Sequence, residues 1–178
     1  MRAMGPGSVS SLLKTAIDVL FFLTWAGAVI LALLSLLLLA VPLDTLAGGR
    51  NVTIPLRNGA EVTATGPMLA SMIAVYAFTG FVLIFLLACL RKVFGYLAAG
   101  DPFHPDNVGR LRLIGVALIG LNVIPILARL IGRALFPDIP FDNRWFDLTG
   151  WSSILVVFVL AEVFREGARL RREAELTI

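Results

Sequence analysis

The sequence predicts an all-α, polytopic membrane protein with four transmembrane helices and a small extracytoplasmic β-hairpin between the first two. Three observations predict it. Hydrophobic residues make up 58% of the 178-residue chain, and mean hydropathy is +0.91, well above an ordinary soluble domain. Four long apolar stretches fill most of the chain, each near the roughly 20 residues needed to cross a bilayer. The charged residues crowd into the gaps between them. A backbone in lipid must satisfy its own hydrogen bonds, so helix is the expected form of each stretch. All four belong to one membrane domain covering 1–178.

The first span covers about 14–41, and from residue 17 onward Asp18 is its one charge. It is too long for a cleaved signal core of about 7–15 residues, so it is expected to be retained. The hairpin is expected at about 50–66. There Val52-Thr-Ile and Val62-Thr-Ala-Thr flank Asn58-Gly59, a pair that supplies the positive φ of a tight turn. The second span, about 67–92, holds the single cysteine, Cys89, so no intramolecular disulfide is possible.

A loop at 93–110 follows. Gly100 suits the left-handed cap that ends the second helix. Pro102 and Pro105 are expected to hold the loop out of helix. Asp106 or Asn107 is expected to cap the third helix. Phe103, apolar among polar neighbours, is expected to plug a gap between helix ends.

The third span covers about 111–134. Pro125 should bend it, and Asn122, one turn earlier, can serve the freed backbone or a neighbouring helix. Gly115 and Gly120 permit close helix contact. The fourth span, about 145–165, has Asp147 near one end and Glu162 near the other. The 165–178 tail continues it as helix, with Glu162 and Arg165, and Arg169 and Glu173, spaced to pair along one face.

Lys and Arg in short loops set membrane orientation. Arg2, Lys14, Arg91, Lys92, Arg110, Arg112, Arg165, Arg169, Arg171 and Arg172 fall on one side, and Arg50, Arg57, Arg133 and Arg144 on the other. That imbalance puts both termini and the middle loop in the cytoplasm of a bacterium, with the spans in its inner membrane.

Charges inside spans are candidate functional residues. Asp18 is expected to pair with Lys14, one turn earlier, or to reach water. Glu162 is expected to clamp the second and fourth helices through Arg91, Lys92 or Arg165. Arg129 is expected to snorkel outward or to pair with Asp147.

Little catalytic chemistry is legible. His104 near Asp106 suggests acid–base work, but no nucleophile or metal accompanies it. One Cys and one His exclude a metal site built from several such ligands. No catalytic residue, cofactor or metal is assigned, and the chain is expected to be non-enzymatic. Glu166, Glu173 and Glu175 break up the basic tail, so direct nucleic-acid binding is not expected.

The loop and the tail carry a family resemblance. Gly100, Pro102, Phe103 and Asn107, followed by Arg110-Leu111 and Ile114-Gly115, form one motif. Phe164-Arg-Glu-Gly167, Leu170 and the ending Glu175-Leu176-Thr-Ile178 form the other. With the four-span layout, these resemble a bacterial membrane family known as domain of unknown function 2975. The resemblance carries no activity. Members are often encoded beside small helix-turn-helix regulators, which implies a regulatory pairing.

Two functions are therefore expected from this sequence. In the first, the chain is a membrane sensor or anchor that holds a small cytoplasmic transcription regulator. Its surface would comprise Phe103, Asn107, Arg110 and the 164–178 tail with Gly167, Leu170 and Leu176. The alternative is a small transporter or channel working as a homo-oligomer, with a water path lined by Asn122, Arg129 and Glu162.

Overall fold

The computed structural model describes residues 9–41, 43–48, 52–55, 61–101, 103–137, 139 and 147–176. Four long helices dominate: α1 (Val9–Ala40), α3 (Gly66–Ala98), α4 (Pro105–Leu135) and α5 (Leu148–Glu175). Each is long and apolar enough to cross a membrane, and together they make this a multi-pass membrane protein. Large apolar side chains line their outer faces, such as Phe22, 63% exposed, and Leu155, 67% exposed. Water would penalise that surface, whereas hydrocarbon solvates it.

Between α1 and α3 lie a single helical turn, α2 (Leu43–Leu46), absent from the sequence-based expectation, and the strands β1 (Thr53–Pro55) and β2 (Glu61–Thr63). The strands pair antiparallel, Thr53 opposite Thr63 and Pro55 opposite Glu61, as the expected hairpin requires. Proline at the end of β1 costs no central ladder bond. The expected Asn58-Gly59 turn lies outside the described residues.

Two compact units divide the chain. The first comprises Met1–Thr24, Val82–Asn122 and Asp147–Ile178. Its core is Leu86 and Cys89 of α3, Leu111, Ile114 and Ala117 of α4, and Ala161 of α5. Gly115 lets the Phe158 ring approach so closely that an added Cβ would sit 2.8 Å from it. Gly120 faces Val82 at an ordinary 3.6 Å.

The second unit comprises Trp25–Phe81 and Val123–Phe146. There α1 and α3 meet at small residues, with Ala28 packed on Gly80. The buried Ser35 hydroxyl donates to the Ala70 carbonyl at 2.9 Å. Small side chains let helix backbones approach and gain dispersion contacts that lipid alone would not reward.

Two expectations about α4 need correction. It begins at Pro105, not beyond it; proline suits the first helical position because its missing N–H would lack an intrahelical partner anyway. The cap is accordingly neither Asp106 nor Asn107. His104 fills that place, its Nδ1 accepting from the Asp106 backbone N–H at 3.2 Å. Farther along, Pro125 lies within α4, where a proline bends a helix without ending it. Asn122 does not serve the carbonyl that proline frees; its Nδ2 donates to Leu118 O at 2.9 Å.

Candidate functional site

In the first unit, the turn after α3 and the last four turns of α5 are built against each other. Gly100 takes φ +83°. Gly100 N–H then donates to Leu97 O at 3.2 Å and Asp101 N–H to Tyr96 O at 3.0 Å, the paired bonds of a Schellman cap. The cap aims Asp101 at α5, where its carboxylate pairs with Arg171. Pro102 lies outside the described residues.

Phe103 then lies on α5. Its ring centroid is 5.6 Å from that of Phe164. Gly167, one turn along α5, makes room: a Cβ there would fall 2.6 Å from the Phe103 ring. The plug expected at Phe103 thus has a definite socket, formed by Phe164 and Gly167. The ring remains 38% exposed, so one edge faces outward.

The start of α4 is braced from α3. The His104 ring stacks on Tyr96, centroids 4.2 Å apart and planes within 17°. Tyr96 OH donates to Asp106 Oδ2 at 3.3 Å, and Arg110 reaches the same oxygen at 3.5 Å. The Arg110 guanidinium carbon also lies 4.7 Å from the Tyr96 ring centroid, a cation–π distance. Asp106, in the first turn, also complements the positive end of the helix dipole. Tyr96 was not singled out by sequence; it fell in the expected 93–110 loop, whereas α3 continues through it to Ala98.

Asn107 is fully buried, at 0% exposure. As folded it cannot touch a partner, so its role is internal. Arg110 is likewise mostly covered, its side chain 18% exposed. Leu170 and Leu176 are exposed.

A groove of about 470 Å³ runs between α4 and α5. Pro105, Val108 and Ala168 supply apolar lining; Arg165, Arg169 and Arg172 add positive charge, and Glu166 one negative charge. Arg169 pairs with Glu166 at 2.8 Å and with Glu173 at 3.5 Å. Such exposed pairs are worth about 0–1 kcal/mol each, so a partner's carboxylate can compete for these arginines at little cost.

Of the intramembrane charges, Glu162 takes an expected partner and Asp18 a different one. Asp18 pairs with Arg91 of α3 at 2.5 Å, not with Lys14. Arg91 also lies over the Phe21 ring, 4.8 Å from its centroid. Glu162 pairs with Arg165 within α5 and so clamps no second helix. Asp147 caps α5, accepting from Thr149 N–H at 3.1 Å. Asn122 packs on Gly150 of α5, where no side chain would fit. Arg129, in the second unit, donates from Nε to Pro125 O at 3.0 Å and lines a cleft between α3 and α4. Asn122 and Glu162 line neither this cleft nor the α4–α5 groove. Among the described residues, no three His, Cys, Asp or Glu side chains gather as a metal-ligand set.

A family model described as "Protein of unknown function (DUF2975)" matches residues 45–178. That stretch contains the loop, the groove and the tail. No curated protein and no solved structure matches the chain.

Proposed function

This chain belongs to the DUF2975 family, and since the family description names no activity, we propose a role from the geometry of the groove. The protein is a non-enzymatic anchor in the bacterial inner membrane that holds a small cytoplasmic regulator of the helix-turn-helix type. One observation carries the reading. Phe103 on Gly167 and Asp101 on Arg171 hold the loop to α5, and between α4 and that same helix lies an apolar, arginine-rimmed groove. Such a groove suits the apolar stripe of an amphipathic helix with acidic flanks. Burying that helix at the membrane lowers the regulator's free concentration.

The excess of basic residues on the loop-and-tail side supports a cytoplasmic setting for the groove. The non-enzymatic part draws support from His104 and Asp106. They cap and brace α4 instead of facing a nucleophile. The regulator class draws on the gene neighbourhood of the family.

Gentle detergent extraction of the full chain is expected to bring down a small DNA-binding protein. Reversing the groove charge with Arg165→Glu, Arg169→Glu and Arg172→Glu together should cut its recovery about tenfold or more, with membrane insertion unchanged. Equal recovery by that variant excludes the groove. Extraction without any DNA-binding protein overturns the regulator assignment.

A further inference from the structure

Arg129 lies inside α4, roughly 9 Å along the axis from the helix end at Leu135 at about 1.5 Å per residue. A guanidinium stays charged at any ordinary pH, and at this depth in a span it needs an anion or a route to water. The protein gives its Nε the Pro125 carbonyl. Among the described residues, no carboxylate pairs with it. Arg129 therefore brings into an apolar span a positive charge whose partner among the described residues is a neutral carbonyl.

Arg129 also lines a cleft of about 440 Å³ in the second unit, between α3 and α4. That size falls within the ~300–1,000 Å³ of ordinary small-molecule sites. Met72, Val75 and Tyr76 form one wall, and Ile131 and Leu135 belong to the other. Among the described residues, no Asp or Glu lines it. An apolar trough beside a guanidinium is complementary to an amphiphile with an anionic head. A soluble anion would gain nothing from the apolar walls. A zwitterionic lipid would bring a phosphate to the guanidinium together with a cation that offsets it. A twofold dimer on this face would bring a second Arg129 to an interface where the described lining residues include no carboxylate to receive either.

We propose that the cleft is a binding site for one phospholipid with an anionic headgroup, its acyl chain along Met72, Val75 and Ile131 and its phosphate on Arg129. The lipid completes the charge balance of α4 and fills the trough between the two helices. The site is independent of the α4–α5 groove and does not require the regulator reading.

The test is native mass spectrometry of the full chain, released from nanodiscs holding equal phosphatidylglycerol and phosphatidylcholine. The wild type is expected to retain one phosphatidylglycerol in preference to phosphatidylcholine by about fivefold, the factor one basic residue contributes near a membrane surface. Arg129→Gln should abolish the preference, and Arg129→Lys should keep most of it. Ala128→Phe, which fills the cleft and leaves Arg129 in place, should lower retention of both lipids. Equal retention of the two lipids by the wild type overturns the proposal, as does an unchanged preference in Arg129→Gln. So does a dimer that carries no lipid and dissociates on Ala128→Phe. Arg129→Lys and Ala128→Phe keep the test decisive if Arg129→Gln does not insert.

Discussion

At the residue scale, the loop motif and the tail motif prove to be two sides of one contact. Phe103 and Gly167 are 64 positions apart in sequence, yet the ring of one occupies the space a side chain on the other would need. Gly167→Val should therefore expel Phe103 and destabilise the fold by about 1–3 kcal/mol, the usual cost of overpacking. Phe103→Ala in the same background should add little further loss, because the contact is already gone. Thermal unfolding of the four-member cycle in detergent measures both; additive losses would mean that the two residues do not share a socket. Sequence alone marked both residues but did not join them. A glycine within a charged helix is the signal that it must accommodate something, and the nearest unplaced aromatic was Phe103.

At the element scale, the helices were legible because apolar runs of this length have few other forms in lipid. Their ends were less legible. Pro105 read as helix-excluding, yet it starts α4 because its missing N–H costs nothing there, and His104, which read as a candidate for acid–base work, caps it by accepting an N–H. Ion pairs were the least legible, since spacing along one helix suggests neighbours and says nothing of what another helix brings near. Asp18 illustrates this: Lys14 was one turn away, but Arg91 of α3 holds the carboxylate. This pair ties α1 to α3 within the first unit. Asp18→Leu or Arg91→Leu alone leaves a charge without its partner, while the double change removes both. The single variants should each unfold at lower temperature than the double. A coupling of about 1 kcal/mol is expected, discounted from buried-pair values because the side chains are 35% and 30% exposed.

At the scale of the whole molecule, orientation decides whether the α4–α5 groove can meet a cytoplasmic protein. The imbalance of basic residues rests partly on Arg2, Arg50, Arg57 and Arg144, which lie outside the described residues. Alkaline phosphatase fused after residue 178 should be inactive in cells, and a fluorescent protein fused there should be bright. The opposite pattern would turn the groove away from the cytosol and end the anchor reading. The class and its four spans were thus readable from composition, because bilayer physics acts on averages over some twenty residues. The contact between loop and tail was not, because it depends on which single side chains find one another. The interior placement of Cys89 has one practical outcome. With the lone native thiol sequestered, a cysteine engineered at Val108 or Ala168 would be the one accessible handle for a spin label or dye. Spectroscopy of the groove can then proceed on an otherwise wild-type background.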